Sequence, residues 1–176
     1  MGWTTAESVA AIERAMALET EGESFYVQAA ARTQDEKGRL MFLSLAADET
    51  EHYAKLRQVR DELLASGQWP KQEQVLTRPA ARWQAPNIFD AGKLAKVVQL
   101  QTGDAEALRL GMQAERAAYQ NYAASRDAVE DADGKALFAF LAAEEIGHYN
   151  LLESALAYLD DTASFFLISE RAINEG

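Results

Sequence analysis

The sequence contains no cysteine, which excludes disulfide bonds and thiol chemistry. It has only three prolines, and no apolar run approaches the ~18 residues that a membrane-spanning helix needs. The first residues also lack the basic and apolar segments of a signal peptide. We therefore expect a soluble, cytoplasmic protein that does not associate with membranes.

Positive charge is also scarce in this chain. It has 17 Lys and Arg against 28 Asp and Glu, for a net charge of -11 at pH 7. The phosphates of a nucleic acid would repel such an acidic surface, which argues against nucleic-acid binding. A chain of 176 residues is long enough to bury the core of one domain without covalent cross-links, so residues 1–176 are expected to form a single domain.

The chain has only two histidines, and both lie in copies of one motif, Glu-x-x-His. A shift of 96 positions superposes the copies without a gap and matches further residues on either side. The matched pairs are Glu19 with Glu115, Tyr26 with Tyr122, Leu45 with Leu141, Ala46 with Ala142, Glu49 with Glu145, His52 with His148, Tyr53 with Tyr149 and Leu56 with Leu152. An internal repeat predicts a fold built from two like units.

Each repeat unit is predicted to be a pair of helices, because its apolar residues recur at helical spacing. The units cover about residues 5–66 and 104–159. Thr4 and Thr33 are each followed three residues later by Glu, and these two capping boxes are predicted to begin the helices of the first unit. Since the connections within a unit are short, its two helices are expected to be antiparallel neighbours. The sequence therefore predicts an all-α fold.

Residues 67–103 have no counterpart in the repeat and contain all three prolines. They are predicted to form a long crossover, with a short helix beginning at Asp90 and continuing to Leu100. Trp69 and Trp83 are expected to pin this crossover to the helices rather than to bind a ligand.

A fifth helix is predicted at the C-terminus, at about residues 162–174, after the fourth helix ends near Leu159. Four apolar residues lie close together in it, from Phe165 to Ile168. So many apolar side chains are not expected on a solvated tail, and we expect them to pack on the end of the bundle or at a homodimer contact.

The spacing of the repeated motif suits metal binding. On a helix, residues three apart share a face, so a Glu and a His at this spacing can direct their ligand atoms to one point. A single Glu-x-x-His is more often a solvated surface pair, and the doubling of the motif favours the metal interpretation. The candidate ligands are then four carboxylates and two imidazoles: Glu19, Glu49, His52, Glu115, Glu145 and His148. Oxygen-rich sites with a few imidazoles suit iron or manganese.

Burial of these carboxylates would affect the stability of the metal-free protein. Glu19 lies on the apolar stripe of its helix, and a buried cluster of carboxylates needs metal ions or protons to neutralise it. In the absence of metal, replacing Glu49 or Glu145 by Gln is therefore expected to raise stability. The neighbouring acids Asp48 and Glu51 lie on other helix faces and are expected to be solvated.

At these residues the chain resembles the rubrerythrin and erythrin-like branch of the ferritin-like superfamily. The resemblance lies in the doubled pattern of Glu, then Glu-x-x-His, with a Tyr seven residues after each first Glu. It implies a ferritin-like four-helix bundle with one long crossover and a C-terminal fifth helix. It also implies that Glu49 and Glu145 bridge two metal ions, while the other two glutamates and the two histidines each bind one ion.

The chain departs from this family at two points. It has no Cys, so it lacks the rubredoxin-like iron site of full-length rubrerythrins. Those proteins also carry an extra carboxylate on the third helix, where this chain has Ala118, whose repeat mate is Gly22. Alternatively, a helix bulge would place Glu115 at that extra position and leave Met112 at the position of the usual ligand.

The resemblance implies a protein that binds two Fe ions, with Mn as an alternative, and reacts with O2 or H2O2 as a ferroxidase or peroxide-reducing oxidoreductase. An external electron donor would be required. Tyr26 and Tyr122 are candidate catalytic residues, because each hydroxyl could bond a ligand carboxylate; a bond to a backbone carbonyl is the other interpretation. Three alternatives stay open: iron or manganese sequestration without turnover, a helical interaction module with a structural metal, and an oxygenase, which would need an apolar pocket beside the metals.

Overall fold

A computed structural model of the chain describes residues 2–76 and 102–174, and within these the side chains of residues 2–76 and 105–159. Every regular element in these residues is a helix, as the apolar periodicity predicted. The helices are α1 (Thr5–Arg32), α2 (Glu36–Ser66), α3 (Gln72–Val75), α4 (Thr102–Ala128) and α5 (Ala132–Asn174). None of these described helices combines the length and the apolar character that crossing a bilayer requires.

The ends of α1 and α2 show why these segments become separate helices. Thr4 and Glu7 form the predicted capping box, in which each side chain accepts a hydrogen bond from the other residue's backbone N–H. The second predicted capping box was wrong. Asp35, not Thr33, caps α2 by accepting two backbone N–H groups of its first turn, and Asp is the stronger cap. α2 ends at Ser66, which agrees with the predicted end of the first unit at about residue 66. Gly67 caps it with a φ of 74°, a conformation that glycine adopts without strain.

The long helices form two pairs, α1 with α2 and α4 with α5, and α1 also packs against α4. Their interior holds two apolar clusters. Ile12, Leu56 and Phe138 belong to the first, and Phe42 and Leu108 belong to the second. On each helix, the residues of the two clusters are separated by about two turns of chain. These intervening turns carry the candidate metal ligands, which therefore form a charged layer between two apolar ones.

The C-terminal part of the fold differs from the prediction. A single helix, α5, continues from Ala132 to Asn174, so the predicted end near Leu159 and the separate fifth helix at about residues 162–174 were wrong. Asp160 and Asp161 follow the predicted end, but Asp is only modestly unfavourable in a helix interior and no Gly or Pro lies between Asp161 and Asn174. The side chains of the Phe-rich segment, and with them the expected dimer contact, lie outside the described residues.

The described start of the crossover is anchored on α5. The half-buried ring of Trp69 meets the ring of Phe138 edge to face, with centroids 6.1 Å apart. The Lys71 ammonium also lies 3.0 Å from the Asp133 carboxylate. Trp69 therefore packs as predicted. The rest of the crossover, including Trp83 and the helix expected from Asp90, lies outside the described residues.

Candidate metal centre

The structure brings all six predicted ligand residues together in the charged layer. Every one of them is buried, and none is more than 6% exposed. They come from four helices: Glu19 from α1, Glu49 and His52 from α2, Glu115 from α4, and Glu145 and His148 from α5. Residues 96 positions apart in the sequence thus meet at one place in the fold.

The six residues form two overlapping groups of four, and each group could hold one metal ion. Within each group, one ligand atom per residue lies within 4.8 Å of every other. The first group is Glu19, Glu49, His52 and Glu145, and the second is Glu49, Glu115, Glu145 and His148. Glu49 and Glu145 belong to both groups, and these are the two glutamates for which the resemblance implied a bridging role.

The two shared glutamates turn one oxygen to each histidine. Glu49 directs Oε2 to Nδ1 of His52 at 3.5 Å and Oε1 to Nδ1 of His148 at 3.4 Å. Glu145 directs Oε1 to Nδ1 of His52 at 3.7 Å and Oε2 to Nδ1 of His148 at 3.3 Å. Each carboxylate therefore spans the two groups, while the histidine rings lie nearly parallel with centroids 5.8 Å apart.

Glu19 and Glu115 each belong to one group only, and we call them the unshared glutamates. They occupy equivalent positions in the two groups. Glu19 places Oε2 at 3.4 Å from Nδ1 of His52, and its repeat mate Glu115 places Oε1 at 3.6 Å from Nδ1 of His148. The α4 helix carries Glu115 without interruption from Thr102 to Ala128, so the alternative with a bulge is not what the structure has. Met112 is instead half-buried against the second apolar cluster.

Several buried ligand atoms in this layer have no hydrogen-bond partner and could bind an ion. Among the described residues, Nδ1 of His52, Nδ1 of His148 and both carboxylate oxygens of Glu145 are buried without a hydrogen-bond partner. Each such group costs about 1–3 kcal/mol if nothing binds it. Ligand atoms about 2.0–2.2 Å from a common ion lie roughly 3–3.5 Å from one another, close to the spacings between the histidine nitrogens and the carboxylates. The residues present therefore fit two metal ions.

Without metal, protons must balance the charge of the buried carboxylates. Burial raises the pKa of Glu19 to about 7 and that of Glu145 to about 9. Burial would also raise the pKa of Glu49, but its contacts with Glu19 and the two histidines outweigh burial and lower it. Burial lowers the pKa of His52 and His148, yet the surrounding carboxylates outweigh it and raise both well above the usual value. Metal binding must displace these protons.

The two candidate catalytic tyrosines each hydrogen-bond the unshared glutamate of the other repeat unit. The hydroxyl of Tyr26 on α1 donates to Glu115 on α4, and the hydroxyl of Tyr122 on α4 donates to Glu19 on α1. Burial raises the pKa of both phenols, so they stay protonated and donate. Of the two interpretations of these tyrosines, the bond to a ligand carboxylate is the one present. Their catalytic role stays a prediction.

Two acids near the histidines were missed in the sequence. Asp48, expected to be solvated, places a carboxylate oxygen 3.6 Å from Nε2 of His148, and Glu144 places one 3.9 Å from Nε2 of His52. An acid at Nε2 favours the proton on that nitrogen and leaves Nδ1 free to bind an ion. The available signal was that these two acids are repeat mates, each directly before a shared glutamate.

Removing either of these acids should weaken metal binding. Asp48→Asn and Glu144→Gln are each expected to lower metal affinity about 10- to 100-fold, because the histidine then loses the charge that orients it. Competition with a chelator of known affinity measures this change. Glu62→Gln, which alters an exposed acid on α2, should leave affinity unchanged. Equal affinities in all three variants would mean that the two acids do not position the histidines.

Comparison of the chain with protein-family models, with curated proteins and with solved structures gave no match in any of the three. We therefore infer a function from the geometry of this centre.

Proposed function

We propose that this chain is a dimetal carboxylate protein of the rubrerythrin and erythrin-like kind, which binds two iron ions in the charged layer and reacts with O2 or H2O2. The observation that carries the proposal is the geometry of Glu49 and Glu145. Each of these carboxylates presents one oxygen to each histidine, as a carboxylate bound to two neighbouring ions must. Reaction as a ferroxidase or as a peroxide-reducing oxidoreductase fits this centre.

The arrangement of the helices supports the proposed ferritin-like bundle. Two helix pairs related by the repeat enclose the charged layer, and each contributes one Glu and one Glu-x-x-His, the ligand pattern of such dimetal proteins. The segment between α2 and α4 must join two helices of different pairs, as the long crossover of that fold does. A separate fifth helix is not part of the proposal.

Charge and ligand type favour iron or manganese. Four ionised carboxylates balance two divalent cations when both histidines are neutral, so the loaded layer carries no net charge. Carboxylates suit hard ions and imidazoles suit iron, whereas copper and structural zinc favour sites with more nitrogen or sulfur ligands. Two iron ions would supply two electrons to O2 or peroxide at one place.

The protein residues would have distinct tasks in this chemistry. Glu49 and Glu145 would fix the separation of the ions. Glu19 and Glu115 would be free to change between one- and two-oxygen binding as ion charge changes. The tyrosines would each hold the carboxylate of an unshared glutamate through a hydrogen bond. The apolar clusters above and below the layer would restrict access of water along the bundle.

An anaerobic titration of the metal-free protein with Fe(II) tests the proposal. We expect saturation at two ions per chain, because the centre has two groups of ligands, followed by a near-ultraviolet and visible absorption change when O2 or H2O2 is added. Repeated cycles with an external reductant would identify a catalyst, and oxidation that stops after one cycle would identify an iron-binding protein without turnover. Saturation at no ion or one ion would contradict the dimetal centre.

A further inference from the structure

A cavity of about 280 Å³ lies between α1 and α4, directly beside the charged layer. We call it the α1–α4 pocket. Its walls are formed by three residues of each helix, Leu18, Gly22 and Phe25 on α1 and Ala114, Ala117 and Ala118 on α4. Its mouth lies at the protein surface, since Glu21, Ala114 and Ala117 are exposed. None of the six wall residues is charged.

The floor of the pocket is the candidate metal centre itself. All four ligand glutamates and both tyrosines line it. Gly22 and Ala118 are repeat mates, and neither has a side chain beyond Cβ that could fill the gap between the helices. A Cβ at Gly22 would lie 3.3 Å from Cδ of Glu49, so glycine at this position leaves that carboxylate next to the pocket.

The size of the pocket indicates a molecule larger than O2 or peroxide. These occupy about as much space as one or two water molecules, each about 30 Å³ in the liquid. An apolar cavity of about 150 Å³ is already large enough to bind benzene. The α1–α4 pocket has nearly twice that volume and apolar walls. Among the described residues no Lys, Arg or His lines it, so a buried anion would lose its hydration without gaining a positively charged partner.

We propose that the α1–α4 pocket binds a small, uncharged, largely apolar organic molecule, about the size of toluene, with one end against the ligand carboxylates. This assigns the dimetal centre an organic substrate class in addition to O2 or H2O2, and that part of the inference rests on the proposed function. Binding of the molecule depends only on the pocket. An apolar pocket beside the metals is also the feature that an oxygenase would require, and the sequence did not reveal it.

Ligand-observed NMR titration with toluene tests the pocket, with benzoate as the matched anionic probe. The full chain, metal-free and metal-loaded, is expected to bind toluene saturably with a dissociation constant of about 1 mM or lower. The metal-free chain is expected to bind benzoate far more weakly. Ala118→Leu and Ala114→Leu, on the inner and outer parts of the wall, should each weaken toluene binding about tenfold or more by filling the space.

Ala124→Leu is the control variant, because Ala124 is exposed on the same helix but does not line the pocket. It should bind toluene like the unaltered chain. Absence of saturable toluene binding, equal binding of benzoate by the metal-free chain, or equal losses in all three variants would overturn the inference. A chain that binds two ions without toluene would refute the pocket alone, and one that binds toluene without ions would refute the proposed function alone.

Discussion

Glu145→Gln is expected to reduce metal binding from two ions per chain to none. The carboxylate of Glu145 belongs to both ligand groups. Neither of its oxygens has a hydrogen-bond partner among the described residues. Glutamine keeps the shape of the side chain but removes the charge and replaces one of the two oxygens. An uncompensated positive charge in a buried layer costs several kcal/mol, which corresponds to a loss of about a thousandfold or more in affinity.

Variants of the unshared glutamates are the matched comparison. Glu19→Gln and Glu115→Gln each alter one group only, so each is expected to leave about one ion per chain. Metal content after equilibrium with Fe(II) under anaerobic conditions, determined by elemental analysis, distinguishes the two classes. If Glu145→Gln and Glu115→Gln retained the same number of ions, the shared position of Glu145 would be refuted.

In the absence of metal, Glu145→Gln is expected to make the protein more stable at neutral pH. Burial raises the pKa of Glu145 from its ordinary value of 4.5 to about 9. Below pH 4.5 the carboxyl is protonated in both the folded and the unfolded state, so it does not lower the free energy of unfolding. Between pH 4.5 and 9 folding takes up a proton, so the free energy of unfolding falls as pH rises. At pH 7 this loss is on the order of 3 kcal/mol, and glutamine does not incur it.

The same substitution at Glu49 is expected to have the opposite sign, although sequence alone predicted that both variants would gain stability. The pKa of Glu49 is lowered by its contacts with Glu19 and the histidines, so its ionised form stabilises the folded state above pH 4.5. Glu49→Gln removes that contribution. Thermal unfolding of the metal-free variants at pH 5 and pH 8 measures both effects. A lower melting temperature for Glu145→Gln at pH 8 would contradict the buried, protonated carboxyl.

Local patterns explain what could be predicted from the sequence. The all-helical fold followed from apolar periodicity, and the grouping of Glu49 with His52 followed from their spacing on one helix face. The repeat then predicted that Glu145 and His148 would lie in an equivalent place. These inferences needed only the geometry of a helix and a relation between two segments of chain.

Contacts between the repeat units could not be predicted in the same way. Asp48 lies off the ligand face of its own helix, and its approach to His148 depends on how the two units pack. Gly22 and Ala118 are unremarkable small residues until α1 and α4 face each other and the gap becomes a pocket. The continuity of α5 is not apparent from the local sequence, because Asp160 and Asp161 have low helix propensity although the helix continues through them to Asn174.

The reciprocal bonds of the tyrosines suggest how such a protein arises in evolution. Tyr26 of the first unit supports Glu115 of the second, while Tyr122 of the second supports Glu19 of the first. One helical hairpin alone therefore has an incomplete centre, but two identical hairpins around a twofold axis would complete each other. Duplication and fusion of a gene for one such hairpin would preserve this exchange within a single chain. The two copies differ at some equivalent positions, such as Gly22 and Ala118.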